Sequence, residues 1–414
     1  MLSVYRFLIN LIIIFSPLII LIRLIKKKEH FTRFKEKFTI FSKKKIQGNL
    51  VWLHGASVGE LMSVVPLIEK LEEDKSIKQI LVTTSTLSSA KVFTKFKFVK
   101  TIHQFFPIDN NYLSKKFLNY WRPNLVIFID SEIWPNILTN MKEKSIPHIL
   151  LNARITKKSF ERWKVLGKFS KNLFTGFSYT YPQNDETKKY LKYFKVKKIK
   201  KIGNLKFSES IYGSSKKINP NLKNFLSDKM YWCASSTHEG EELIAAKAYQ
   251  SLRKKMKNLI LIIIPRNIQR ISKITNMLLK LDLKIHLHSK NKKISKDTNI
   301  YVVDTYGETK AFFKICKVVF IGKSLTLDGG QNPLEPARYN CKIVHGPNVS
   351  NFHEIYNLLG KNKITFRVNN KYQLIKKINE LLKKNIRSKI LKNKINKIGD
   401  KILNKTLIEI KKFI

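Results

Sequence analysis

A chain of 414 residues is too long for one comfortable core and predicts two domains, at roughly 100–200 residues each. Its 43% hydrophobic content suits globular packing, and its three cysteines, Cys233, Cys316 and Cys341, are too scattered for a disulfide framework or a zinc site. The formal charge of +51 fits either a polyanionic partner or a lysine-rich compositional bias. No basic block with interleaved aromatics marks a dedicated nucleic-acid binder.

The first distinct segment is the N-terminus. Residues 7–22 carry no charge, lie between Arg6 and Arg23, and are followed by Lys26, Lys27 and Lys28. No small-residue cleavage site follows, so a membrane anchor over 1–28, either a spanning helix or one dipping into the inner leaflet, fits better than a signal peptide; a buried core helix is the alternative. Positive charge after the segment places the globular part on the cytoplasmic side.

Apolar runs then alternate with helical patterns. A strand is predicted at 50–53, and Leu61, Val64, Leu67, Ile68 and Leu71 fall on one face of the following helix. Further strands are predicted at 79–83, 125–129, 148–151 and 177–181, with a helix starting near Ser85. A second series places strands at 231–234, 259–264, 286–288, 300–303, 318–321 and 342–345, with a helix at 239–252. This rhythm predicts an α/β protein of two doubly wound, Rossmann-like halves with a central cleft. The expected domains are 29–207 and 229–395, joined by a polar linker at 208–228 and followed by a basic helix or tail at 396–414.

Chemistry-bearing residues gather in the loops after these strands. Glu60, flanked by Ser57 and Gly59, is either a first-turn carboxylate complementing a helix dipole or a catalytic base. Asp130 and Glu132 directly follow a strand, and on an extended segment alternate acids point the same way. Lys206, and Arg266 after Pro265, supply cations suited to a departing phosphate. The hydroxyls at 235–237 predict a helix cap beside His238, which is a candidate substrate contact. Tyr306, Gly307 and Glu308 lie in a polar loop. Ser324, Gly329 and Gly330 belong to a glycine loop that ends at Asn332, with Pro333 in the first helical position and Glu335 in the first turn. Glycines allow close backbone approach to an anion, and a helix start supplies unpaired donors.

The order and wording of these segments resemble the Kdo transferases, which add 3-deoxy-D-manno-octulosonic acid to lipid A precursors. The resemblance runs through SVGE at 57–60, EIWPN at 132–136, NAR at 152–154, GNLKF at 203–207 and STHEGEE at 236–242. It continues through PR at 265–266, DTYGE at 304–308, GGQNPLEP at 329–336 and GP…NFHEI at 346–355. It implies a GT-B glycosyltransferase on the cytoplasmic face of the inner membrane, among anionic lipids, using CMP-Kdo without a metal or other cofactor. The acceptor would be the lipid A precursor lipid IVA, and no specific nucleic acid is expected as a partner.

On this resemblance Glu60 is the catalytic base, with Asp130 and Lys206 stabilising the transition state. Pro265, Arg266, Tyr306, Gly307, Glu308, Asn332, Pro333, Leu334 and Glu335 fall on CMP-binding segments. Ser57, Gly59, Glu132, His238, Ser324, Gly329 and Gly330 are candidate substrate contacts. The chain departs from the family where Asp130-Ser131-Glu132 replaces Glu-Thr-Glu, where Asn267 and Gln331 replace histidines, and where Lys323 replaces a glycine. The departures leave open whether Asp130 or Glu132 supplies the second carboxylate. Alternatives are another GT-B enzyme, a transferase for a different sugar or an epimerase, or a membrane-tethered nucleic-acid binder.

Overall fold

The computed structural model describes residues 1–208, 218–290, 293–327, 329–383 and 390–414. Residues 209–217 of the expected linker lie outside the described residues, as does residue 328 of the glycine loop. The chain divides into two compact units, Met1–Tyr212 with Asn396–Ile414, and Gly213–Ile395.

The first unit holds β1 (Leu50–His54), β2 (Gln79–Thr84), β3 (Thr101–Phe105), β4 (Leu125–Ile129), β5 (His148–Ala153) and β6 (Tyr179–Pro182). They form one parallel sheet in the order β3-β2-β1-β4-β5-β6. Around it run α1 (Leu2–Ile25), α2 (Val58–Glu72), α3 (Leu87–Phe93) and α4 (Asn111–Trp121). The series continues with α5 (Pro135–Glu143), α6 (Lys157–Val165), α7 (Lys168–Thr175) and α8 (Asp185–Tyr193). Central strands covered on both faces need continuous apolar runs, so β1 and β4 were visible as such and are buried throughout. Trp52 of β1 packs on Phe117 and Phe128 in the unit's core. All five apolar positions predicted for the helix face of α2 are buried.

The reading of the sequence missed β3, for a physical reason. It is the outermost strand and carries His103 and Gln104, so its pattern is not apolar. Its free edge is covered by the turn Arg33–Phe38: Phe105 N donates to Glu36 Oε2 at 2.7 Å, and Arg33 Nη2 to His103 O at 2.9 Å.

The second unit holds β7 (Met230–Thr237), β8 (Leu259–Pro265), β9 (Ile285–Leu287), β10 (Ile300–Val302), β11 (Val318–Ile321), β12 (Lys342–His345) and β13 (Thr365–Arg367). Their parallel order is β13-β12-β11-β7-β8-β10-β9. Here too the unpredicted strand, β13, is outermost. The helices are α9 (Pro220–Phe225), α10 (Glu241–Arg253), α11 (Ile271–Leu279), α12 (Thr309–Ile315), α13 (Leu334–Arg338), α14 (His353–Lys361) and α15 (Lys371–Lys383). All three cysteines are free and buried in this unit.

Of the two forms expected for the C-terminal segment, the structure has the helix. Helix α16 (Ile390–Ile410) packs on the first unit, burying Ile402, Leu403 and Ile410. Glu409 locks it there, accepting from Tyr181 Oη at 3.2 Å and from Lys200 and Lys412 Nζ at 2.7 Å each. Burial works to raise its pKa, but the two lysines outweigh burial and hold it at about 2. A depressed carboxylate contributes stability above its unfolded value near 4.5, lost as pH falls toward 2. Acid unfolding followed by circular dichroism is therefore expected to lose part of its slope in that window in Glu409→Gln, which is less stable than wild type at pH 7.

Candidate active site

The first unit gathers its chemistry outside the carboxyl ends of β1 and β4, where open parallel sheets bind ligands. Ser57 is the N-cap of α2 and forms a capping box with Glu60. Glu60 Oε2 accepts from Ala56 N at 2.6 Å and Ser57 N at 3.3 Å, while Oε1 accepts from Ser57 Oγ at 2.9 Å. The capping role is thus realised. A carboxylate has about four acceptor sites, so Oε1 keeps one for an incoming hydroxyl. Burial raises the Glu60 pKa, the charges of Glu132 and Asp130 add to the rise, and the Ser57 bonds oppose it. A carboxyl with its pKa raised in this way is a stronger base once ionised.

Asp130 and Glu132 do not lie on an extended segment as expected. Asp130 has φ +62°, in the left-handed region that short polar side chains tolerate. Its N–H donates to Leu151 O and its carbonyl accepts from Arg154 N, which tie the turn to β5. The two carboxylates therefore have different partners. Asp130 Oδ2 lies 3.8 Å from Lys206 Nζ and its Oδ1 accepts from Ser131 Oγ at 3.0 Å. Burial raises the Asp130 pKa, against the pull of Lys206 and Arg154. Glu132 Oε2 instead meets His54 Nε2 at 3.1 Å and Trp134 Nε1 at 2.7 Å. His54 is fully buried, stacked on Phe106 and bonded through Nδ1 to Thr83.

Lys206 sits in a short turn, Leu205–Phe207, whose Leu205 N donates to Asn152 Oδ1 at 3.0 Å. Gly203, at φ +132°, lies so close to α16 that a Cβ there would meet Ile402 at 2.7 Å. Ser208 Oγ donates to Gly399 O at 3.1 Å. Asn152 and α16 thus hold the turn that carries the lysine. The NAR triplet marked Asn152 in the sequence and a C-terminal helix or tail was expected, but no local pattern shows where a distant helix docks.

In the second unit, Pro265 ends β8 and Arg266 is exposed just beyond it, its N–H bonded to Thr237 O at 3.1 Å. Ser235, Ser236 and Thr237 do not cap α10: they belong to β7, and the N-cap is Gly240 with φ +86°. The organising group, unassigned from the sequence, is Glu241. It is fully buried and accepts from four backbone N–H groups: His238 (2.9 Å), Lys323 (2.7 Å), Ser324 (2.9 Å) and Leu325 (3.0 Å). This carboxylate ties the loop after β11 to the start of α10. The loop passes so tightly that a Cβ on Gly322 would meet Ser236 O at 2.5 Å, and one on Gly346 would meet Ser324 O at 1.9 Å. Lys323 occupies a left-handed position with φ +56°, which accounts physically for a glycine being at home there.

The remaining predicted contacts line the same strand ends. Gly330 N donates to Lys323 O and Asn351 N to Gly329 O, folding the glycine loop back on itself. Asn332 Oδ1 accepts from Leu334 N at 3.1 Å, and Pro333 is the N-cap of α13, not its first helical residue. With five residues, α13 brings little dipole. Glu335 Oε1 lies 4.0 Å from Lys310 Nζ. Tyr306 is 60% exposed, Gly307 has φ +87°, and Glu308 is the buried N-cap of α12. His238 is half-buried, with Nδ1 3.1 Å from Ser236 O.

Two parallel Rossmann-like units, one with a carboxylate loop and one with glycine-rich loops at the strand ends, place the chain in the GT-B fold class of nucleotide-sugar enzymes. A family model described as 3-Deoxy-D-manno-octulosonic-acid transferase (kdotransferase) matches residues 32–209. A 3-deoxy-D-manno-octulosonic acid transferase of Rickettsia bellii is 33% identical, covering 100% of both chains. Another, of Haemophilus influenzae, is 27% identical over 85% of this chain and 83% of its own. The solved UDP-GlcNAc 2-epimerase of Neisseria meningitidis, bound to UDP-GlcNAc, shares the fold with a TM-score of 0.57 at 11% identity, over 87% of this chain and 98% of that one. The chain belongs to the 3-deoxy-D-manno-octulosonic acid (Kdo) transferase family.

Proposed function

We propose that this Kdo transferase moves Kdo from CMP-Kdo to a primary hydroxyl of the lipid A precursor, lipid IVA, in lipopolysaccharide core biosynthesis, with Glu60 as general base. The observation that carries the assignment is Glu60 itself, half-buried at a strand end, with its pKa raised and one acceptor site left. The acceptor hydroxyl gives its proton to Glu60 as its oxygen bonds to the anomeric carbon. The bond from that carbon to the phosphate oxygen breaks, and CMP leaves with the electron pair. Attack from the face opposite the leaving group inverts the centre.

The transition state carries oxocarbenium-like positive charge on the sugar and negative charge on phosphate. Asp130, positioned by Lys206, supplies negative potential to the first; Arg266 and the side chain of Lys323, on the loop that Glu241 holds, answer the second. Metal independence is part of this reading, and EDTA is expected to leave the rate unchanged. Membrane association at the cytoplasmic face is supported by α1, which is long and apolar enough to cross a bilayer, and by the lysines after it.

Mass spectrometry of the lipid product tests the whole assignment, because the mass increment reports both the sugar and the number added. Calorimetry with free nucleotides is expected to show CMP binding more tightly than UDP. The reverse preference, with no mass increment on the lipid, would move the chain to a different nucleotide sugar.

A further inference from the structure

Helix α1 meets the first unit along one stripe. Leu2, Tyr5, Ile9, Ile13, Ser16 and Ile20 are shielded, three or four residues apart, and so line a single helix face from one end to the other. Polar bonds fix both ends. Near the start, Tyr5 Oη donates to Asp109 Oδ2 at 2.8 Å, Arg6 Nε to Asn136 Oδ1 at 3.0 Å, and Asn110 Nδ2 to Asn10 Oδ1 at 2.7 Å. Asp109 is itself held by the N–H groups of Asn136 and Ile137 at the start of α5. At the other end, Arg23 Nε donates to Glu29 Oε2 at 2.9 Å, and Lys37 Nζ reaches both oxygens of Glu29 at 2.8 Å.

The opposite face is apolar and open: Phe7, Leu11, Ile14, Phe15, Leu18 and Ile22 are between 37% and 68% exposed. With 24 residues, α1 is about 36 Å long, enough to cross a hydrocarbon core of about 30 Å. Crossing, however, would carry Asp109, Asn110 and Asn136 to the far leaflet with their partners, or strip those bonds, and unpaired polar groups in hydrocarbon are costly. An in-plane position keeps every one of these bonds. It also sets Lys26, Lys27 and Lys28, all exposed, at headgroup level, where anionic lipids attract them.

We propose that α1 does not span the bilayer but lies in the plane of an anionic lipid leaflet, docked lengthwise on the first unit with its open apolar face among the acyl chains. This rests on the membrane association proposed above, and the test separates the two. The full-length chain is expressed with a cysteine added before Met1, or with Lys27→Cys, and probed with a membrane-impermeant maleimide in sealed vesicles of either orientation. The three native cysteines are buried and contribute little background.

Both introduced cysteines are expected to react from the same side. Reaction from opposite sides overturns the in-plane position while leaving membrane association intact; protein that fails to float with the vesicles overturns both. Nitroxide labels at Phe7→Cys, Phe15→Cys and Ile22→Cys are expected to report one common depth, whereas a depth that varies steadily along the helix refutes the proposal. Neither readout depends on transferase activity.

Discussion

Glu60→Gln is expected to lower the rate of Kdo transfer by about 10²–10⁴-fold, the usual worth of a positioned general base, while leaving the melting temperature nearly unchanged. The split between the two readouts comes from the capping box. Glutamine accepts from the N-cap backbone as glutamate does, so α2 keeps its start. It cannot take the proton. Alanine removes both functions and therefore discriminates less well. Steady-state kinetics in detergent with donor and acceptor supplied give the rate, and transfer within a few-fold of wild type retires Glu60 as the base.

The pH profile carries the same assignment. Glu60 acts only when ionised, and burial and its acidic neighbours raise its pKa, so activity is expected to fall with decreasing pH before an ordinary carboxylate would protonate. Glu132 is the larger of the two acidic neighbours' contributions. Glu132→Gln removes that negative charge, lowers the Glu60 pKa and should move the acid limb to lower pH.

Glu241→Ala is expected to have the second large effect, on nucleotide binding and on stability together. The substitution leaves four backbone N–H groups without their acceptor in a buried setting. Each unmet donor costs about 1–3 kcal/mol, and relaxation of the loop offsets part of the sum, so a loss of about 3–5 kcal/mol follows. The loop that relaxes is the one proposed to meet phosphate, so CMP affinity should fall at least about tenfold with it. Glu241→Gln keeps one oxygen acceptor and should fall between alanine and wild type in both measurements. Urea denaturation and calorimetry with CMP check the pair; an alanine variant that binds CMP as wild type does would show that the loop is held by other means.

The fold was legible wherever burial on both sheet faces forces an unbroken apolar run, as in β1, β4, β8 and β11. It was not legible at β3 and β13, where an outermost position lets polar residues into the strand. The site divides in the same way. Glu60, Asp130, Arg266 and the glycine loop stand in short motifs beside strand ends, because a turn from strand to helix is local. The clamp by Glu241 joins residues about 80 apart in sequence and looked from its spacing like helix-start chemistry.

The sequence by itself determined the two doubly wound halves, the family and the residues available for chemistry, since strand periodicity, glycine spacing and contiguous motifs are properties of neighbouring residues. Only the tertiary structure decided that Asp130 pairs with Lys206 while Glu132 pairs with His54, because a left-handed turn at residue 130 separates two acids that an extended chain would align. It also decided that the C-terminal helix supports the Lys206 turn and that α1 lies along the first unit. Those contacts join segments far apart in the chain, and close packing and paired polar groups between them leave no mark on the pattern of either segment alone.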